Sequence, residues 1–476
     1  MIQSITKTTT HFTPAASLAA IGVLLQHRHL FEPIDRLVQI AQKTVKHSPS
    51  QKLYDGFITL LAGAHGMGEI NTLLRTDRGL QAAFGRQACA EQSVVQQTLD
   101  ACTTENVTQM EQACDEIYRQ HSRAMHHDYQ QDWQILDVDL SGWLCGKKAA
   151  FATKGYFAHT PRNRRGRQLG RVLATRYEEV VVDRLFPGNV QLNASLQTLM
   201  SATQTTLQLT IEQRSRTLVR FDAGGGSAPN VNWLLEQGYG VLGKACSGQQ
   251  SRRLAQTVTH WFTDSALPER QIGWVLQEPT EFVRPVRRVA VRSRKPNGQW
   301  AVGVLICWLD DQAILQLTGV PPQAAPDEQT VLQALVALYD QRGGGIETSF
   351  KGEKSIGLTK RNKKRFEAQQ VLMLLGSLTH NVIVWAHHWL NAASPASPES
   401  EQAPEGSSLG SEPLPHYGPL RMVRDVFHIS GILRWDEQDR LIAIVLNQDA
   451  LLAHRILFSL RHLLTPLQVA ISLDKI

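Results

Sequence analysis

The stretch Gln341–Lys354, QRGGGIETSFKGEK, decides how the rest of the chain is read. Three consecutive glycines precede a lone carboxylate, Glu347, with Lys351 and Lys354 four and seven residues further on. Each glycine in a helix interior costs about 1 kcal/mol relative to alanine. The triplet therefore predicts that the helix running through Tyr339 breaks and that a new one starts at Glu347. Two readings of the break stand side by side: a plain glycine turn between helices, or a point where backbone closely approaches a ligand. On the second helix Glu347, Lys351 and Lys354 share one face. That face is either an ordinary surface Glu–Lys pairing or a carboxylate for a metal beside ammonium groups for a phosphate. From Arg342 to Arg365 there are eight Lys or Arg against two Glu.

Upstream, WQILDVDLSGWL (133–144) alternates apolar and polar residues, the period of a strand. RYEEVVVDRLFPGN (176–189) reads as a second strand, ending in a Pro-Gly-Asn turn, and LQTLMSATQTTLQLTIEQ (196–213) as a helix. RTLVRFDAGGG (216–226) is a strand running into glycines, NVNWLLEQG (230–238) a short helix, and YGVLGKA (239–245) a further strand. Strands alternating with helices predict an α/β sheet. Residues 270–320 are rich in β-branched and aromatic residues around a Pro-Asn-Gly hairpin signal, which predicts an antiparallel insert. Three acids stand out in this frame: Asp139 in the first strand, Asp222 at the end of a strand, and Glu347. Asp137 competes for the first position. Carboxylates converging from separate elements repel one another, and divalent cations with a preference for oxygen donors, Mg²⁺ first, relieve that repulsion. Two such ions would clamp the attacking and leaving oxygens of a phosphoryl transfer.

The chain has 476 residues, 42% of them apolar, and a formal charge of +6. That length predicts two to four domains, and the basic balance favours polyanionic partners. Six scattered cysteines, with no Cys-x-x-Cys pair, predict reduced and buried thiols. AASLAAIGVLL (15–25) is followed by more residues at helical spacing, which predicts an amphipathic helix and not an export signal. No phosphate-binding Gly-Lys-Ser/Thr loop and no dinucleotide fingerprint occurs. Lys147–Arg176 holds nine Lys or Arg and no Asp or Glu. It is either a solvated face or a set of phosphate contacts, with Arg162, Arg164, Arg165 and Arg167 as the candidates.

Taken together, YDQRGGGIETSFKGEK (339–354), the Asp139-x-Ser141 of the first strand and the Arg220-x-Asp222-Ala223-Gly224 of the fourth resemble the bacterial insertion-sequence transposases of the DDE class. The resemblance is to those with a tyrosine–arginine–glutamate–lysine signature. It implies a ribonuclease H-like catalytic core interrupted by a β-rich insertion, preceded by an all-α, helix-turn-helix-like DNA-binding region. It implies catalysis and metal binding by Asp139, Asp222 and Glu347, with Mg²⁺ or Mn²⁺ as cofactor. Tyr339, Arg342, Lys351 and Lys354 would grip DNA near the cut. Ser141, two residues after Asp139, favours Asp139 over Asp137. One departure is plain: the family separates Arg and Glu by three residues, and here four intervene, Gly343 to Ile346.

The organisation expected from this resemblance is a helical DNA-binding region at 1–130, a first core part at 131–265 and a β-rich insertion at 266–325. A second core part with the Glu helix follows at 326–391, then a Pro/Ser/Glu linker at 392–418 and an α/β tail at 419–476. The implied activity is cut-and-paste strand cleavage and transfer at the ends of an element. The implied partners are double-stranded DNA and a second copy of the chain, in a bacterial cytoplasm near the nucleoid. The alternative kept open is a non-catalytic, transposase-derived DNA-binding protein. Trp274, Trp300 and Trp308 are read either as core residues or as a stacking surface for an extruded base.

Overall fold

The computed structural model describes residues 8–43, 46–158, 160, 164–276, 281–321, 325–355, 362–393 and 413–476, the side chains of 353–355 excepted. Most of the expected linker, residues 394–412, lies outside the described residues. The chain divides into two units: Ser122–Phe350, and Met1–His121 together with Lys351–Ile476.

Ser122–Phe350 is built on one sheet. Its strands are β1 (Gln134–Leu144), β2 (Arg165–Ala174), β3 (Glu179–Pro187), β4 (Thr217–Gly226) and β5 (Gly240–Ala245), then β6 (Arg270–Trp274), β7 (Arg287–Arg294) and β8 (Trp300–Trp308). They lie in the order β3-β2-β1-β4-β5-β8-β7-β6, and two-residue strands at Thr153–Lys154 and Phe262–Thr263 complete ten. β1, β4 and β5 are mutually parallel; the pairings on either side are antiparallel. One face of the parallel centre is apolar, with Leu136, Val138, Val219, Phe221 and Val241 all fully buried, as strands covered by helices require; the other sets buried Leu218 and Leu242 beside the Asp137–Arg220 pair. The β-rich segment expected as an insertion is hydrogen-bonded into this sheet through β8, which pairs with β5 from Leu305↔Lys244 to Trp308↔Val241.

Helices α1 (Leu192–Leu207), α2 (Ala228–Glu236) and α3 (Gly248–Ala255) pack on one face of the sheet. Helices α4 (Asp311–Thr318) and α5 (Glu328–Ser355) pack on the other, where Leu332, Leu335 and Leu338 of α5 meet Leu218, Leu242 and Leu305.

The expected break at the glycine triplet does not occur. α5 runs without interruption from Glu328 to Ser355, through Gly343, Gly344 and Gly345. The reason for a glycine is visible at only one of the three. A Cβ on Gly345 would lie 2.7 Å from the Thr175 Cγ2 and 3.0 Å from the Asp137 Oδ2, so glycine is what lets the helix press onto the sheet. A Cβ on Gly343 or Gly344 would meet nothing within 4 Å. Tertiary contact has overridden local propensity here. Alanine at Gly343 or Gly344 is expected to raise stability by about 1 kcal/mol, the full helix-propensity gain. Alanine at Gly345 is expected to lower it by about 1–3 kcal/mol through overpacking. Urea unfolding of the three single variants reads the difference in sign.

The second unit corrects the all-α expectation for the N-terminus. Thr9–Thr13 is a strand, antiparallel to Gly431–Trp435. With Leu441–Asn447 and Ala470–Asp474 it forms a four-stranded sheet. Three of its five residues are β-branched threonines, suited to a strand, but the partner is more than 400 residues away and no local pattern reveals it. The helix Ala16–His27 is buried nearly all round and not amphipathic. The helix Phe366–Ala392 is likewise buried along most of its length, and Pro49–Leu61, Gln92–Ala101 and Thr104–His121 pack around it. Among the described residues no helix is long and apolar enough to cross a membrane. All six cysteines are free thiols; Cys246 is exposed, against the expectation of burial.

Candidate active site

β1 and β4 lie side by side, and Val138 pairs with Phe221. The next residue on each strand is an aspartate, so Asp139 and Asp222 stand together midway along two adjacent strands, just past the end of their parallel pairing. The chain leaves β1 toward β2 on one side and β4 toward β5 on the other. Such a reversal of strand order opens a crevice at the strand ends, where α/β sheets place their ligands.

Asp137 and Asp139 have different environments although they share one strand face. Asp137 is fully buried and held from three directions. Arg220 donates from Nε to Oδ1 at 2.7 Å and from Nη2 to Oδ2 at 2.9 Å, and the Thr175 hydroxyl donates to Oδ2 at 2.6 Å. The Arg220 Nη1 donates in turn to the Leu338 carbonyl of α5 at 2.5 Å. Both oxygens of Asp137 are thus engaged within the protein, which marks it as a structural residue. Asp139 keeps 18% of its side chain exposed. Burial pushes its carboxyl up to about 6 and the neighbouring charge of Asp222 adds to this, while Arg342 opposes it.

Arg342 supplies the counter-charge. Its Nη2 stands 2.9 Å from the Asp139 Oδ2 and donates to the Val138 carbonyl at 3.1 Å. Its Nε is buried and has no hydrogen-bond partner among the described residues. Tyr339 lies one turn earlier on α5; burial pushes its phenol up to about 12, with Arg342 pulling the other way and Asp222 and Asp139 reinforcing the rise. Four of the expected site residues, Asp139, Asp222, Tyr339 and Arg342, are therefore electrostatically coupled in one place.

The others are not. Glu347 is exposed. Five residues at 3.6 per turn put it about 140° round the helix from Arg342. Lys351 is exposed on the same helix, while the side chain of Lys354 lies outside the described residues, as does Arg162. Arg164 and Arg165 are exposed. Arg167 is buried and donates from Nε to the Ala150 carbonyl at 2.8 Å, so it fastens a loop to β2 and is withdrawn from any phosphate. Its neighbour Arg171, fully buried, pairs with Asp183 at 2.5 Å and donates to the Ser349 hydroxyl of α5 at 3.1 Å. Trp274, Trp300 and Trp308 are each partly buried, and each already carries a guanidinium over its ring, from Arg287, Arg292 and Arg284 respectively.

Asp139 and Asp222 suit a hard divalent cation by donor type, two carboxylates at a strand-end crevice. Glu347 does not join them, and among the described residues no group of three or more His, Cys, Asp or Glu could hold a metal ion. Arg342 takes the charge-balancing place beside Asp139. One residue of this neighbourhood carried no motif: Lys244 of β5, one position beyond Gly243, the partner of Phe221.

No protein-family model and no curated protein matches the chain. Among solved structures it is similar to a piggyBac transposase synaptic complex with hairpin DNA, determined by cryo-EM. The TM-score is 0.43 at 11% sequence identity, over 88% of this chain and 82% of that one.

Proposed function

We propose that the chain is a DNA transposase on a ribonuclease H-like core, cleaving and rejoining strands at the ends of its own element. The observation that carries this reading is the placement of Asp139 and Asp222, side by side where the parallel pairing of the first and fourth strands ends. The order 3-2-1-4-5 of the first five strands, with the second antiparallel to its neighbours, supports the core assignment. The oxygens of Asp139 and Asp222 would hold Mg²⁺ or Mn²⁺; Glu347 would serve as the third carboxylate only after a rearrangement of α5 that turns it from solvent toward them. The bound ion would neutralise charge on the attacking and leaving oxygens of a phosphodiester. Tyr339 presents a phenol O–H, protonated at neutral pH, to the same crevice. Arg342 would exchange Asp139 for a phosphate oxygen. Lys351, Lys354, Arg164 and Arg165 would hold backbone phosphates of double-stranded DNA, which positions a duplex without reading its sequence. A homodimer would engage the two ends.

A specific observation favours a second reading, a DNA-binding descendant that no longer cuts. Glu347 faces solvent about 140° from Arg342, and Arg342 already neutralises Asp139. The test is strand cleavage of the DNA bordering the gene, with Mg²⁺ or Mn²⁺, by wild type and Glu347→Ala. Nicking at the element boundary by wild type alone is the result expected of the transposase. Tight binding without nicking by either protein, in either metal, is the result expected of the descendant.

A further inference from the structure

Lys244 occupies a position in the sheet that the motif residues do not explain. Val138, Phe221 and Gly243 are paired across β1, β4 and β5. Asp139, Asp222 and Lys244 each follow one of these residues in the chain, at the point where the β1–β4 pairing ends and the β4–β5 register shifts before resuming at Gly226↔Ala245. Lys244 is exposed, and among the described residues it makes no hydrogen bond and no ion pair. Its side chain lies across Gly303 of β8, where a Cβ would come within 2.7 Å of the Lys244 Cε. Gly303 therefore leaves a trough that the lysine fills.

The trough opens into a cavity of about 280 Å³, lined among others by Lys244, Ser293, Gly303, Tyr339, Arg270 and Asp340. Arg270 is paired with both Asp264 and Asp340, so its charge is spent. Lys244 is the lining cation that makes no ion pair among the described residues, beside the hydroxyl of Ser293 and the phenol of Tyr339. Two O–H groups and an ammonium are the donors an anionic oxygen group takes. The volume is at the small end of ligand sites, enough for one phosphodiester-sized group.

We infer that this cavity binds a phosphodiester of a nucleic-acid strand next to Asp222, with Lys244 as the contacting cation and Tyr339 and Ser293 as hydrogen-bond donors. The inference rests on the nucleic-acid reading above and adds a site residue from β5 to it. It places a cation on the far side of Asp222 from Arg342, so the strand entering the crevice would be held on both sides of the acid pair.

The test is binding of a fluorescein-labelled 30-bp duplex of arbitrary sequence, in EDTA, between 50 and 200 mM salt. Each phosphate contact contributes about 0.9 to the slope of log affinity against log salt. Lys244→Ala is expected to lower that slope by about one and to weaken binding about tenfold at 50 mM salt, with an unchanged melting temperature. Lys244→Arg is expected to restore the slope. Gly303→Ala, which pushes the lysine aside without changing charge, is expected to weaken binding by a smaller factor. A wild-type protein that binds the duplex while Lys244→Ala binds with the same slope and affinity overturns the inference alone. A wild-type protein with no salt-dependent binding overturns the nucleic-acid reading, and the inference with it.

Discussion

Asp137→Ala is expected to destabilise Ser122–Phe350 by about 3–5 kcal/mol, because it leaves the Arg220 guanidinium buried without its counter-ion. Arg220 and Asp137 are 1% and 0% exposed, so water cannot take over the lost contacts. The damage does not stop at one strand. Arg220 also holds the Leu338 carbonyl, and Thr175 loses its acceptor on the same carboxylate. Against a typical total stability of about 5–15 kcal/mol this is a large fraction. Asp139→Asn, two residues along the same strand, is expected to change stability far less. It removes a carboxylate that burial disfavours and costs Arg342 one partner while leaving its bond to the Val138 carbonyl. The two variants are expected to part in opposite ways on activity: Asp139→Asn folded and without strand cleavage, Asp137→Ala losing cleavage only as far as it loses the fold. Urea unfolding alongside a cleavage assay separates them. An Asp137→Ala protein as stable as wild type would mean that the Arg220 pair does not anchor the sheet.

The second large effect is on pH. The Asp139 carboxyl is raised to about 6 in the folded chain, above its ordinary value of 3.8. The folded state therefore holds a proton that the unfolded chain has released, and only between those two values. Asp139 contributes stability that is fully present below about pH 4 and is lost as pH rises through about 6. At about 1.4 kcal/mol per pH unit over a window of about two units, the loss is on the order of 3 kcal/mol. His121 and His127 titrate in the same window with the opposite sign. Burial lowers both to about 4, so the folded state is short of their protons and gains stability as pH rises. A wild-type curve mixes these contributions. The difference between wild type and Asp139→Asn, in metal-free buffer from pH 4 to 7, isolates the aspartate. The expected difference curve falls with pH and flattens above 6. A flat difference would show that Asp139 titrates at its ordinary value and is not strained by Asp222.

The strands carrying Asp139 and Asp222 were legible because each has the residue pattern of a buried strand running into a polar end. Their adjacency was not, since it depends on a register between residues some eighty positions apart. The helix through Gly343–Gly345 was misread for a physical reason. Three glycines argue for a break wherever local propensity decides, but here Thr175 and Asp137 press on the third of them and packing decides instead. Arg165 and Arg167 sit two apart in a basic run and read alike, yet one is exposed and the other buried under a loop. Lys244 belongs to no motif and stands out only through the cavity it shares with Tyr339.

The arginine that neutralises Asp139 comes from residue 342, and it bonds to the carbonyl of residue 138 across a separation of 204 positions. At a synthesis rate of about 5–20 residues per second, roughly 10–40 s pass between the appearance of the aspartate and that of its counter-ion. Once Asp222 has been made, for the later part of that interval, the nascent chain carries the two aspartates with no α5 above them. Ribosome stalling anywhere between β5 and α5 would therefore leave an acidic, half-covered sheet waiting outside the exit tunnel, a species for chaperones to recognise.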